Sequence, residues 1–285
     1  MIDYPIIDSH VHLWDLGKLR YPWLGAHPVL NHTFLIEEFD AARGPVEIKQ
    51  FVFVEAECDH SLSADEVAWV TELSHHDPRI GAIVARVPVE EGECVRPALT
   101  SLSANPLVKG IRRIIADEPE SDFCLRPDFI AGVQSLAEYQ LSFDLGVCPD
   151  QLTSVAQLVE QCPNVQFVLD HLGNPAIKDR QMLPWMIDLP ALADYSNVWC
   201  KISGVATQAD HARWTPDDLK PYVDLTLDVF GCDRVMFGGD WPVALQAATY
   251  PRWVDALCEI TRDRSRDDVR ALFHDNARAF YRLEG

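Results

Sequence analysis

Pro5-Ile6-Ile7-Asp8 runs directly into Ser9-His10-Val11-His12-Leu13-Trp14, and the reading of that junction decides the fold. A short apolar run is followed by two histidines, where an open, doubly wound sheet would place a glycine-rich phosphate turn. Beyond it the same unit, an apolar run and then an amphipathic stretch, recurs until there are about eight. The later runs are Lys49 to Glu55, Gly81 to Val87, Val108 to Ile115, Leu141 to Val147, Val165 to Asp170, Val198 to Ser203 and Arg234 to Gly239. Rich in Val, Ile and Phe and almost unbroken by polar residues, they predict parallel strands covered on both faces.

Helices are predicted over Leu35 to Arg43, Ser63 to His76, Cys94 to Ser103, Pro127 to Tyr139, Asp150 to Gln161, Pro184 to Tyr195, Thr215 to Phe230, Trp253 to Thr261 and Ser265 to Leu283. Ser63-Ala64-Asp65-Glu66 has capping-box spacing, and Thr215-Pro216 puts proline at a first helical position. Asp150 after Pro149 and Ser265 with Asp268 are further start signals. Strand-then-helix units in this number predict an α/β fold, a (β/α)8 barrel of the TIM type. No linker or composition break divides residues 1–285, so one barrel domain is expected, with Gly17 to Thr33 as a long loop on its mouth.

Composition narrows the partners. The 285 residues are 48% hydrophobic and carry a formal charge of -20, which repels nucleic acid and anionic membrane surfaces. There is no run of the roughly 18 apolar residues a membrane span needs, and Met1-Ile2-Asp3-Tyr4-Pro5 lacks the basic start of a signal peptide. A cytoplasmic protein is expected. The 8 cysteines form no C-x-x-C pair and read as reduced, mostly buried thiols.

In such a barrel the reactive groups stand at the C-terminal ends of the strands. Those ends carry His10 and His12, Glu55, Arg86, Arg112 and Arg113, Asp144, His171, Lys201 and Ser203, then Asp240. Residues two apart on a strand share a face, so His10 and His12 can point inward together while Val11 faces the helices. Two imidazoles and a carboxylate suit a divalent ion such as zinc, and Asp240 is the natural carboxylate. In Phe237-Gly238-Gly239-Asp240-Trp241-Pro242 the paired glycines let backbone pass close to a ligand. Asp170, beside His171, is expected to face away from the site. Only one of Arg112 and Arg113 can look inward, to hold a substrate or to pair with an acid. Glu55 reads as a ligand, a hydroxyl acceptor or the partner of Arg86. Lys201 and Asp144 either fill an interior layer or touch substrate, and Trp14, Tyr21 and Trp23 either stack on a ring or simply pack.

Taken together, Ile7-Asp8-Ser9-His10-Val11-His12-Leu13-Trp14-Asp15, Tyr21-Pro22-Trp23-Leu24, Val54-Glu55-Ala56, Val108-Lys109-Gly110-Ile111-Arg112, Val168-Leu169-Asp170-His171-Leu172-Gly173, Cys200-Lys201-Ile202-Ser203-Gly204 and the Asp240 segment resemble the amidohydrolase superfamily. The resemblance is to its amidohydrolase-2 type, in the branch of sugar-lactone and pyrone-dicarboxylate lactone hydrolases. It implies a metal-dependent-hydrolase-like barrel that opens a small aldonolactone, such as L-rhamnono- or L-fuconolactone. Asp240 would take a proton from the attacking water and His171 would stabilise the oxyanion. Arg112, Glu55, Lys201, Asp144 and Trp14 are its candidate substrate contacts, and His10, His12 and Asp240 its candidate metal ligands. A bridging lysine on the fourth strand and a histidine on the fifth are missing, which argues for one divalent ion, zinc by preference, over two. The branch also contains members that work without metal, so metal-free catalysis stays open. The expected partner is a small lactone, with or without further copies of the chain in a homo-oligomer. The rivals are a decarboxylase or amide hydrolase on the same barrel, and a sugar-binding barrel without catalysis.

Overall fold

The computed structural model describes residue 2 and residues 4–284; Met1 and Asp3 of the N-terminal stretch lie outside the described residues. Among these, the strands are β1 (Ile6–Val11), β2 (Ile48–Val54), β3 (Ile80–Arg86), β4 (Val108–Arg112), β5 (Ser142–Leu145), β6 (Phe167–Leu169), β7 (Val198–Ile202) and β8 (Val235–Phe237). They pair in sequence order, each parallel to the next. The helices between them are α1 (Ile36–Arg43), α2 (Ser63–Ser74), α3 (Arg96–Ser103), α4 (Pro127–Ser135), α5 (Leu152–Gln161), α6 (Trp185–Ala193), α7 (Pro216–Phe230) and α8 (Tyr250–Ile260). The predicted (β/α)8 barrel is the observed architecture.

Alternation along the strands divides the core in two. Phe51, Phe53, Ile83, Ile111, Phe143, Phe167 and Phe237 face the helices, where there is room for aromatic rings. The smaller Val52, Val54, Ala82, Val84 and Val168 fill the barrel interior with Ile7 and Met236. Pleating sends neighbours to opposite faces, so bulk outside and branched residues inside meet the space each face offers.

Closure depends on one buried acid. β8 has only three residues, and the β1–β8 seam is held by the bridge of Val11 with Trp241 and by the Asp240 N–H donating to the His10 carbonyl at 2.8 Å. Asp8 completes the seam, accepting from the N–H groups of His10 (2.9 Å) and Gly239 (2.8 Å) and from the Tyr250 hydroxyl (2.7 Å). The glycine pair serves this seam and not a ligand. A Cβ at Gly239 would lie 2.4 Å from Asp8 Oδ2 and from the Tyr250 ring, and one at Gly238 2.8 Å from the His10 Cβ.

The predicted helix from Ser265 to Leu283 is three pieces, α9 (Arg266–Arg270), a wide π turn (Ala271–Asp275) and α10 (Asn276–Phe280). Ser265 does cap the first, accepting from the Asp268 N–H at 3.1 Å. Ala277, Phe280, Tyr281 and Leu283 then pack on the interior cluster and seal the end of the barrel opposite the site. No described helix is long and apolar enough to cross a membrane. Among the described residues all eight cysteines are free thiols, four of them buried and Cys94 exposed.

Candidate active site

His10 is the penultimate residue of β1 and His12 follows the strand, and their Nε2 atoms lie 3.2 Å apart. His12 Nδ1 is 2.8 Å from the Val54 carbonyl, which can only accept; Nδ1 therefore carries the proton and Nε2 turns its lone pair into the site. Asp240 emerges from β8 in the left-handed region, φ 51°, and its Oδ1 stands 3.8 Å from His10 Nε2 and 3.6 Å from His12 Nε2. The expected meeting of these three groups is what the fold produces.

β6 ends differently from the sequence expectation. His171 and Leu172 take φ values of 53° and 57°, so the chain coils back on itself immediately after the strand. Asp170 and His171 consequently both face the site, correcting the reading that sent Asp170 to the opposite side. Asp170 lies 3.5 Å from His10 Nδ1, 3.0 Å from Lys201 Nζ and 3.5 Å from Arg112 Nη1. His171 Nδ1 meets the Ser203 hydroxyl at 2.8 Å, and its ring centroid is 4.6 Å from that of His10. Gly204 makes room here: a Cβ on it would stand 2.6 Å from His171 Nδ1 and 3.1 Å from Asp240 Oδ2.

Of the two arginines, Arg112 turns inward, while Arg113 pairs outside with Glu90 at 2.8 Å and Glu118 at 2.5 Å. Arg112 donates to the Glu55 carboxylate at 2.7 Å and to the Glu55 carbonyl at 2.5 Å. Glu55 thus has Arg112, not Arg86, as its partner, and it is buried behind that guanidinium. Lys201 and Asp144 form a fully buried pair at 2.6 Å, with the Tyr281 hydroxyl donating to Asp144 at 2.8 Å. They lie beneath the imidazoles, Lys201 Nζ reaching His10 Nδ1 at 3.2 Å, and do not line the cavity. Trp14 is also withdrawn from it: wholly buried, it donates to the His32 carbonyl at 2.7 Å and packs edge-on against Trp23 and Phe34. Trp23 is the aromatic that reaches the cavity. Glu55, Lys201, Asp144 and Trp14, candidate substrate contacts with a structural role as the alternative, are all held by long-range pairing and packing away from the cavity lining.

The cavity over these groups measures about 200 Å³ and is bounded by His12, Arg112, His171 and Asp240 below and by Trp23, Glu57, Asn174 and Gln208 around its wall. The last three went unread. Glu57 and Asn174 have φ values of 52° and 54°; asparagine is enriched in that region, but nothing in the identity of a glutamate announces a left-handed turn.

Charge is distributed sharply. Burial, reinforced by the Lys201 ammonium, holds His10 well below the ordinary histidine range, and burial lowers His171 as well. Asp144 is pushed up to about 6 by burial. For Asp170 burial acts upward too, but Lys201 and His10 outweigh it and hold the carboxyl well below its usual range. Neutral imidazoles are competent ligands. The separations of 3.2 to 3.8 Å among His10, His12 and Asp240 match the edges, about 3.3 Å, of a tetrahedron with bonds near 2.0 Å. The same three residues, and separately His10, Asp170 and His171, bring ligand atoms within 4.8 Å of one another. In chemistry and spacing the first set fits a divalent ion.

A sequence profile described as amidohydrolase matches residues 7–283. A Burkholderia multivorans protein named L-fucono-1,5-lactonase is 31% identical over 255 residues, covering 86% of this chain and 84% of its own. Scheffersomyces stipitis L-rhamnono-gamma-lactonase is 22% identical, covering 99% of this chain and 100% of its own. Among solved structures, a Burkholderia multivorans amidohydrolase with bound zinc superposes with a TM-score of 0.88 at 29% identity, over 99% of this chain and 100% of that one.

Proposed function

The chain belongs to the amidohydrolase family, and from that premise we propose that it hydrolyses a small sugar-acid lactone, of the L-fucono- or L-rhamnonolactone type, with water activated by Asp240. The observation that carries the reading is the convergence of His12, Asp240, Arg112 and His171 on one cavity, with His10 buried directly behind them. The names of the relatives support a lactone as the substrate class. At roughly 30 Å³ per water, a volume near 200 Å³ displaces about six or seven waters, room for a single small ring.

The two oxygens of Asp240 face different ways, Oδ1 toward the imidazole pair and Oδ2 toward Gly204 beside His171. Oδ2 takes a proton from water as the water oxygen bonds to the lactone carbonyl carbon. The ring C–O bond then breaks, and Asp240 returns the proton to the departing ring oxygen, leaving the open hydroxy acid. Ser203 donates to His171 Nδ1 in this assignment, which leaves Nε2–H as a donor for the negative charge developing on the carbonyl oxygen. His10, His12 and Asp240 would hold one divalent ion, zinc by their chemistry. When bound, it supplies Lewis acidity that brings the pKa of water toward about 7.

The test is a proton-release assay on a panel of aldonolactones beside aromatic carboxylic acids. Lactone opening is expected, and Asp240→Asn should lower kcat by about 10²- to 10⁴-fold. Asparagine tolerates the left-handed φ of this position, so the melting temperature should hold. Release of carbon dioxide without lactone opening, or full activity of Asp240→Asn, would overturn the proposal. Metal content before and after chelation is measured on the same protein. One ion per chain, with rate lost on its removal, is expected; full rate without metal would discard the zinc and leave the base in place.

A further inference from the structure

The polar groups of the cavity wall are unevenly employed. Each nitrogen of Arg112, its guanidinium, is engaged: Nε and Nη2 on Glu55, and Nη1 at 3.4 Å from His10 and 3.5 Å from Asp170. The amides are each tied to a neighbour by one donor, Asn174 to the Val147 carbonyl at 2.9 Å and Gln208 to the Asn174 side chain at 3.0 Å. Among the acceptors that the wall offers, the strongest is Glu57.

Glu57 is held in place by its backbone. Its φ is 52°, and its N–H donates to Glu55 Oε2 at 2.8 Å, the carboxylate that Arg112 anchors at 2.7 Å. Its own carboxylate has no hydrogen-bond or ion-pair partner among the described residues. Burial, with the Glu55 charge beside it, holds this carboxyl above its usual range, so a donor brought to it is favoured. Glu57 and Trp23 also line a second cavity of about 300 Å³, on whose far side Arg86 meets His60 at 2.5 Å. Glu57 therefore stands at the junction of the two spaces.

We propose that Glu57 selects the substrate, accepting hydrogen bonds from hydroxyls of a polyhydroxylated, uncharged lactone held where the two cavities meet. A carboxylate-bearing lactone meets a like charge at that point, one that Arg112 and Arg86 offset only in part, and is disfavoured. This inference rests on the lactonase reading above and adds the group that reads the hydroxyls of the lactone.

The experiment compares L-fucono-1,5-lactone, which carries the hydroxyls, with δ-valerolactone, which has none. Glu57→Leu should cut kcat/KM for the sugar lactone by about ten- to a hundredfold, mostly through KM. Its rate on δ-valerolactone should stay within about twofold of the wild type. Glu57→Gln keeps the size and one acceptor of the side chain; it should lose less on the sugar lactone and gain on a lactone bearing a carboxylate. Melting temperatures of both variants confirm folding, and Glu57→Gln carries the test if the leucine variant is unstable. Equal losses on both lactones, or an unchanged KM for the sugar lactone, would refute the role of Glu57 while the lactonase reading stands. Failure of the wild type to open any lactone removes both.

Discussion

The Lys201 ammonium shows how much a single buried group can hold together. It lies 2.6 Å from Asp144, 3.0 Å from Asp170 and 3.2 Å from His10 Nδ1, with no exposure to solvent. Two carboxylates could not stay charged side by side in that interior without it. Lys201→Met should therefore destabilise the protein by about 3–5 kcal/mol, as expected when one partner of a buried pair is removed, read from the urea midpoint. A loss below about 1 kcal/mol would show that Asp144 and Asp170 are held by other means. His10 Nδ1 also chooses between two neighbours. Paired with Asp170 it bears the proton, and Nε2 joins the ligand set; paired with Lys201 it accepts, and Nε2–H donates to His12. The residue types at these positions were legible, since charged groups at strand ends stand out from apolar runs. Their partners were not, because Lys201 and His10 are 191 residues apart and no local pattern registers such a pair.

Among the elements, helix starts give the cleanest contrast between a signal that acts and one that does not. At α7, which starts at Pro216 as the sequence suggested, the Asp218 carboxylate accepts from both the N–H (3.0 Å) and the hydroxyl (2.8 Å) of Thr215. At α2 the expected capping box is absent. Ser63 donates to the His60 carbonyl at 3.0 Å, and Glu66 is buried, accepting from the Ala56 N–H at 3.3 Å. The chain is capped a turn earlier, where Asp59 accepts from the Ser61 N–H at 3.2 Å. Before α5 it is Gln151, not Asp150, that reaches back to the Cys148 N–H, at 2.9 Å. Asp218→Ala should cost about 1 kcal/mol in chemical denaturation, whereas Ser63→Ala should be close to neutral. Equal costs would mean that capping does not distinguish the two sites. The spacing of Ser63 and Glu66 was a true pattern overridden by tertiary demand, because Glu66 faces the core instead of solvent.

At the scale of the whole molecule, buried acids and imidazoles set the response to pH. Burial raises Asp8 to about 7 and Glu66 to about 8, so the folded state keeps protons that the unfolded chain has already lost. Stability from these groups falls as pH rises from about 4 through their folded values. His10 and His171 act in the other direction, being lowered from 6.5 by burial; their effect raises stability with pH only up to that ordinary value. Above it the decline is unopposed, and self-repulsion in a chain of net charge -20 adds to it. The melting temperature should drop between about pH 6.5 and 8.5, and Glu66→Gln should flatten the drop. An unchanged slope in that variant would remove Glu66 from the account. The sequence by itself determined the barrel, the strand ends that carry chemistry and the meeting of His10, His12 and Asp240. All three follow from where apolar runs recur, and burial imposes that period residue by residue. Only the tertiary structure decided that Asp170 turns inward, that Arg112 is engaged by Glu55, that Lys201 and Asp144 sink below the cavity, and that Glu57 is left facing it. Those outcomes depend on left-handed turns and on charges brought together from distant strands, and the free energy of such a meeting belongs to the folded whole, not to any one segment.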